Sequence, residues 1–305
     1  MNTRRIGSLT VSVVGLGCNN FGMTIDEKQT AEVVGAALDA GINFFDSADM
    51  YGGTNSERFL GQALGKRRNE AVIATKFGLR ANDEFSGGAK PEYVKRAADA
   101  SLMRLNVDRI DLYQLHKPDP SVPIADTLAA MNDLVLAGKV REIGCSNFSA
   151  AQLREAAAAV KAGAAKFVSV QNQYSLLHRE PEGEVLPECR RLGVAFLPYF
   201  PLASGLLTGK YSKGVAPPKG TRMTMGWAAS GLTDRNFAIV EELTRIAARS
   251  GHSLLDLAFS WLLRHDAVAS VIAGATRPEQ IRANVAAAGW TISNEDLAAI
   301  DRASA

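Results

Sequence analysis

Residues 41–52 read Gly41-Ile42-Asn43-Phe44-Phe45-Asp46-Ser47-Ala48-Asp49-Met50-Tyr51-Gly52. A glycine tolerates the left-handed conformation that ends a helix, and the run from Asn43 to Asp46 then reads as a short strand. Upstream, Thr24 and Glu27 have the spacing of a capping box, and Ala31, Val34 and Leu38 fall on one helical face. Helix, glycine stop, strand and a polar residue at the strand's end make one unit, and the unit recurs. Strand-like runs occupy 13–16, 43–46, 71–75, 110–115, 140–145, 167–170, 194–197 and 270–273. Six of the seven intervals between their starts measure 27 to 39 residues, and the last is 76. A strand, a crossover helix and their loops need roughly 30 residues, so the intervals mark consecutive parallel strands. Eight such units predict an α/β protein of the (β/α)8 TIM-barrel class; a doubly wound sheet is the competing architecture.

The additions to the eight units are also legible. Between Arg4 and Val13, Ile6, Leu9, Val11 and Val13 flank a Gly7-Ser8 turn, which predicts an N-terminal β-hairpin suited to plugging the barrel floor. The long interval after the seventh strand opens with a Gly-, Pro- and Lys-rich loop over 201–231. Helical patterns follow at 234–250 and 253–264, with two more at 278–288 and 294–303 after the eighth strand. No linker or low-complexity tract interrupts the chain, so one domain over 1–305 is expected.

Composition narrows the function. The 305 residues are 47% hydrophobic and 22% charged, which suits a large core. Thirty-four basic and 32 acidic residues are spread without a basic stripe, which argues against nucleic acid as a partner. Cys18, Cys145 and Cys189 form no CxxC pair and no Cys/His ligand spacing, so no metal site is expected. No apolar run reaches signal-peptide or membrane-spanning length, and a cytoplasmic protein with no membrane association is the expectation.

Distinctive polar residues gather at one end of the strands. Asp46 ends the second, Lys76 the third and His116 the fourth; Ser146 and Asn147 follow the fifth, Gln171 the sixth, Tyr199 the seventh and Gly274 the eighth. Carboxyl ends of barrel strands form the active-site rim, so these groups should converge on one mouth. A lone Asp–Lys pair is ordinarily a structural ion pair. A matched set at successive strand ends is not something packing requires.

With these residues in view, the chain resembles the aldo-keto reductase superfamily. Residues 41–52, with Ser56-Glu57, match its G-x-N-x-x-D-[ST]-A-x-x-Y-G signature. Ile73-Ala74-Thr75-Lys76, Tyr113-Gln114-Leu115-His116, Gly144-Cys145-Ser146-Asn147-Phe148, Val170-Gln171-Asn172-Gln173-Tyr174 and Gly205-Leu206-Leu207-Thr208-Gly209-Lys210 follow in the family's order. The resemblance implies an NAD(P)H-dependent oxidoreductase that converts an aldehyde or ketone, a sugar aldehyde among the candidates, to the alcohol. It assigns Tyr51 as proton donor, Lys76 as the ammonium that lowers the tyrosine pKa, Asp46 as its counter-ion and His116 as the group orienting the carbonyl.

The resemblance also implies the cofactor contacts. Ser146, Asn147 and Gln171 would bind the nicotinamide amide, and Tyr199 would stack on its ring. Pro201, Leu202, Ser204, Gly205 and Lys210 would wrap the pyrophosphate, and Gly274, Thr276, Arg277, Gln280 and Asn284 would meet the adenosine end. Gly274 and Gln280 stand where well-known members often carry lysine and arginine, which leaves Arg277 as the phosphate partner; NADPH is expected over NADH, with NADH an alternative. Neither Gly15-Leu16-Gly17 nor Gly205 to Lys210 completes a Rossmann or P-loop fingerprint. Phe21, Met50, Phe77 and Trp227 are the candidates for facing a small carbonyl or alcohol substrate. A monomer is the default. Three other readings stand beside the reductase: a cofactor-binding regulatory relative that turns over poorly, a dehydrogenase working in the oxidative direction, and an unrelated metal- or phosphate-dependent barrel hydrolase or lyase.

Overall fold

Period-two alternation along each strand sends one set of side chains inward and the next outward, and this arranges the whole molecule. A computed structural model describes residues 1–79, 87–218, 220–224 and 229–304. An antiparallel hairpin of β1 (Thr3–Ile6) and β2 (Leu9–Ser12) precedes eight parallel strands. These are β3 (Val14–Gly17), β4 (Phe44–Asp46), β5 (Val72–Phe77), β6 (Ile110–Leu115), β7 (Val140–Ser146), β8 (Phe167–Gln173), β9 (Ala195–Tyr199) and β10 (Val271–Gly274). Each pairs with the next through β9, and β10 pairs with β3. A parallel bridge between Phe196 and Val268 joins the remaining seam. The fold is a (β/α)8 barrel, as the intervals predict.

Six helices alternate with these strands: α1 (Glu27–Asp39), α2 (Asn55–Leu64), α3 (Pro91–Leu105), α4 (Ile124–Leu136), α5 (Ala150–Ala159) and α6 (Val185–Leu192). After β9 come α7 (Asp234–Arg249) and α8 (Leu254–Leu263), and after β10 come α9 (Pro278–Ala286) and α10 (Asn294–Ser304). The capping box of α1 is formed by Asp26 and Gln29 rather than by Thr24 and Glu27. Thr24 lies two residues before the Asp26 N-cap, in the turn where its N–H donates to Asn20 O at 2.8 Å. The buried face of α1 is Thr30, Val33, Val34, Ala37 and Leu38, and Ala31 is exposed.

Outward residues such as Phe45, Ile73, Tyr113, Val170 and Phe196 pack in the core that lies between strands and helices. Inward ones form two levels. Near the floor, Phe44, Ala74, Leu112, Leu197 and Ile272 close on Ile6, Leu9 and Val11 of the hairpin, each large apolar side chain contributing roughly 1.5–3 kcal/mol by leaving water. Arg4 ties the hairpin in place by donating to the carbonyls of Leu263, His265 and Val268. Two residues further along the same strands, the inward positions are Asp46, Lys76, Gln114, Tyr199 and Gly274. The hairpin thus fills the apolar floor and leaves the polar level to face the other mouth. The loop after β9 contains 3-10 segments at Ala203–Thr208, interrupted by left-handed Ser204 and Gly205, and at Arg222–Thr224.

Candidate active site

Asp46 closes β4 and Lys76 lies one residue from the end of β5, so both point inward at the carboxyl end of the barrel. Lys76 is fully buried, and its Nζ donates to Asp46 Oδ2 at 2.6 Å and to Ser47 O at 2.8 Å. Asp46 Oδ1 accepts from Gln114 Nε2 at 3.1 Å and from Gln171 Nε2 at 2.9 Å. Three donors therefore reach the Asp46 carboxylate, and both of its oxygens are bonded. A buried pair is tolerable only when satisfied in this way.

Tyr51 arrives from the segment after β4, which runs along β5 through Ser47 N to Ala74 O (2.9 Å) and Asp49 N to Lys76 O (3.0 Å). Its hydroxyl accepts from Lys76 Nζ at 3.5 Å, and the ammonium lies 5.0 Å from the ring centroid. The His116 ring meets the Tyr51 ring edge-on with centroids 5.9 Å apart. His116 Nδ1 is buried with no hydrogen-bond partner among the described residues. Asp46, Tyr51 and His116 line one cleft, with Lys76 buried behind them.

Lys76 acts on Tyr51 in the expected direction, lowering its pKa, but burial is the larger effect. Burial pushes the Tyr51 phenol above its ordinary range, and the Lys76 ammonium, pulling the other way, does not offset it. Tyr51 therefore holds its proton at neutral pH. Burial opposes the charge on Lys76, but Asp46 and Tyr51 outweigh it and the ammonium is stabilised. Burial, helped by the Lys76 charge, lowers His116 to about 3, so its imidazole is neutral.

These groups lie at the base of a cleft of about 750 Å³. Asp46, Tyr51 and His116 line it, together with Ser146, Asn147, Gln171, Tyr199, Pro201, Leu202, Ser204, Gly205, Lys210, Gly274, Thr276, Arg277, Gln280 and Asn284. Ser146 Oγ donates to Gln171 O at 2.7 Å, and Tyr199 OH donates to Asn147 Oδ1 at 2.9 Å, which holds the tyrosine ring at the cleft. Asn147, Phe200 and Ser204 line the cleft in the left-handed region with φ of 61°, 50° and 56°. Backbone strain of this kind gathers at ligand sites. At the far end Gln280 Oε1 accepts from Thr276 N at 2.7 Å, so Gln280 serves the loop. Arg277 is the N-cap residue of α9, and its side chain makes no capping bond.

The expected substrate contacts fare differently. Phe21 and Phe77 are fully buried in the core and do not line the cleft. Phe77 follows the inward Lys76 and so points outward, stacked on Tyr113 at 4.7 Å; Phe21 is folded into the turn that joins β3 to α1. Met50 is partly exposed but does not line the cleft either. Trp227 lies outside the described residues.

Two features of the site went unanticipated. Gln114 bonds Asp46 from the barrel interior; its position two residues before His116 and two after Leu112 was the available signal. Arg222, from the loop after β9, donates from Nη2 to Asn19 Oδ1 (3.0 Å) and Asn20 Oδ1 (2.8 Å), crossing the cleft to the turn after β3. Its guanidinium lies 5.6 Å from the Phe200 ring centroid. No periodicity marks that loop, so nothing in the sequence singled Arg222 out. Among the described residues no group of three or more His, Cys, Asp or Glu could hold a metal ion, and no helix is long and apolar enough to cross a membrane.

A barrel whose polar mouth combines a buried Asp–Lys pair, a tyrosine and a neutral histidine beside a long cleft is the architecture of a nicotinamide-dependent carbonyl oxidoreductase. The family model of the aldo/keto reductase family matches residues 13–305, and the chain belongs to that family. A probable voltage-gated potassium channel subunit beta from Arabidopsis thaliana is 36% identical over 292 residues, covering 92% of this chain and 88% of the relative. The NADH-specific methylglyoxal reductase of Escherichia coli (strain K12) is 34% identical over 309 residues, covering 94% and 93%. The solved structure of the glycerol dehydrogenase AKR11B4 from Gluconobacter oxydans superposes with a TM-score of 0.86 at 29% identity, covering 99% of this chain and 94% of that one. The protein is accordingly an NAD(P)H-dependent oxidoreductase acting on carbonyl and alcohol groups.

Proposed function

We propose that the protein reduces an aldehyde or ketone to the alcohol, with NADPH as the preferred cofactor and Tyr51 as the proton donor. The observation that carries this reading is the placement of the Tyr51 hydroxyl against Lys76, itself held by an Asp46 that also accepts from Gln114 and Gln171, with His116 alongside.

The residues present fit a dinucleotide. Ser146, Asn147, Gln171 and Tyr199 offer amide, hydroxyl and aromatic groups at the base of the cleft, where the nicotinamide would lie. Lys210 and Arg222 supply positive charge for the pyrophosphate beside the strained turn at 200–205. Arg277, at the start of α9, supplies a charge for a ribose phosphate. A bound nicotinamide supplies the hydride that the carbonyl carbon receives.

The remaining work falls to the chain. The neutral His116 imidazole has one N–H to donate to the carbonyl oxygen and turns that oxygen toward Tyr51. Tyr51 keeps its proton until charge develops on that oxygen, then transfers it. Lys76 stabilises the tyrosinate that remains, and Asp46 keeps Lys76 charged and in place. Run backwards, the same groups accept a proton from an alcohol, the direction named for the glycerol dehydrogenase.

Titration with NADPH and NADH, followed by protein fluorescence, together with turnover of a panel of aldehydes, ketones and alcohols, tests this reading. Saturable quenching with carbonyl reduction is the expected result. Quenching without turnover would leave a cofactor-binding regulatory protein, and absence of quenching would overturn the proposal.

A further inference from the structure

Behind Tyr51, on the helix-facing side of the barrel wall, lies a polar cluster that the proposed reaction does not use. Asp49, two residues before Tyr51, is 1% exposed, and among the described residues no side chain hydrogen-bonds either of its carboxyl oxygens, the Met50 backbone N–H being the nearby donor that favours its charge. The charged and titratable groups facing it are Glu57 of α2, Arg104 of α3, Lys76 of β5 and Tyr113 of β6. Glu57 is fully buried and uses both oxygens: Oε1 accepts from the Thr75 hydroxyl at 2.5 Å and Oε2 from Arg104 Nε at 2.6 Å. Arg104 Nη2 donates to Ser101 Oγ at 3.1 Å. The Lys76 ammonium is committed to Asp46, Ser47 and Tyr51. The Tyr113 hydroxyl is buried and has no hydrogen-bond partner among the described residues.

Charge balance decides the state of Asp49. One guanidinium faces two buried carboxyls and is already bonded to Glu57. An ionised Asp49 would have a single backbone N–H and no side-chain donor in a dry, crowded place, a state relieved by taking up a proton. Burial first, and Glu57 second, push its carboxyl from 3.8 to about 7 against the opposing pull of Arg104. Its backbone N–H, bonded to Lys76 O, fixes the segment at the level of the catalytic lysine.

We propose that Asp49 is a positioning residue that works as a neutral acid: its protonated carboxyl lets residues 47–52 pack against α2 and α3 and so holds the Tyr51 hydroxyl at Lys76. Loss of that proton places a charge in the cluster, loosens the segment and ends turnover on the alkaline side. The inference rests on Tyr51 being the proton donor.

Two measurements test it. In wild-type protein carrying carbon-13 at its aspartate carboxyls, NMR titration should show one aspartate changing state around neutral pH, a signal missing from Asp49→Asn. The pH profile of kcat at saturating cofactor and carbonyl should fall by roughly tenfold per pH unit above that midpoint in wild type. Asp49→Asn, of the same shape with no proton to lose, should stay within about threefold of wild type on the acid side and hold its activity at least about one pH unit further. A merely structural role would lower stability without moving that limb. If Asp49→Asn does not fold, Glu57→Gln gives the same reading in reverse: freeing Arg104 for Asp49 should move midpoint and limb together to lower pH. Aspartates all ionised below pH 5, or an alkaline limb unmoved in the variants, would overturn the proposal. A wild-type limb that ignores Asp49 removes its role and leaves the reductase reading standing, whereas wild-type protein that reduces no carbonyl removes the reductase reading while the NMR titration still reports the proton.

Discussion

Replacing Asp46 by asparagine should leave a buried ammonium without its counter-ion. Lys76 and Asp46 are 2.6 Å apart with side-chain exposures of 0% and 5%. The asparagine cannot satisfy both of its neighbours. If its oxygen faces Gln114 and Gln171, its NH2 group is turned toward Lys76; if reversed, NH2 meets two amide donors. Removing one partner of a buried ion pair destabilises by about 3–5 kcal/mol. An independent ceiling gives the same range, because shedding the lysine proton at pH 7 from an ordinary pKa near 10.4 requires about 4.6 kcal/mol, at about 1.36 kcal/mol per unit. The sign of the pH dependence follows. In the variant the folded-state pKa of Lys76 falls below its unfolded value, so the unfolded chain binds more protons and the variant regains stability as pH rises toward 10.4.

Urea unfolding of wild type, Asp46→Asn and Asp46→Asn/Lys76→Met at pH 7 and 9.5 measures all of this. The single variant should lose about 3–5 kcal/mol at pH 7 and recover more than about 1 kcal/mol of that deficit at pH 9.5. The double variant should recover most of the deficit at pH 7, since an apolar side chain in place of the buried charge removes the penalty. A deficit below about 1 kcal/mol at pH 7, or one independent of pH, would refute this view of the pair.

Other consequences concern packing and the far end of the cleft. Gly61→Ala would place a Cβ 2.2 Å from Leu105 O, so α2 and α3 must separate; stability should fall by about 1–3 kcal/mol, although an alanine normally favours a helix over glycine by about 1 kcal/mol. An unchanged or raised Tm would mean the helices do not approach so closely. Arg277→Ala should weaken NADPH binding far more than NADH binding in parallel titrations, and equal losses would place recognition of the 2′-phosphate elsewhere.

The barrel was legible in the chain because its signal is repetition: glycine stops, short apolar runs and intervals of one βα unit survive local errors. Strand ends were less so. Gln171 and Tyr199 belong to β8 and β9 rather than following them, since inward polar residues at a barrel mouth break the apolar pattern by which a strand is recognised. The residues expected to line a cofactor site do share one cleft, because matched strand ends converge geometrically. Phe21 and Phe77 show the opposite failure: aromatic character near a strand end does not say which face a side chain takes, and a one-residue step from Lys76 sends Phe77 into the core. Arg222 and Asp49 were opaque for different reasons. Arg222 acts through a crossing of the cleft to Asn19 and Asn20, about two hundred positions away in the chain, and the isolation of Asp49 depends on how Glu57, Thr75 and Arg104 pair among themselves.

Single-turnover reduction by Tyr51→Phe, with nucleotide affinity measured on the same preparation, addresses the proton transfer itself. The phenylalanine keeps the ring beside His116 and Lys76 and deletes only the hydroxyl. Loss of reduction by about 10²-fold or more, the lower part of the usual general-acid contribution, with NADPH affinity nearly unchanged, is the expected result. Carbonyl reduction persisting at the wild-type rate would show that the proton comes from another group.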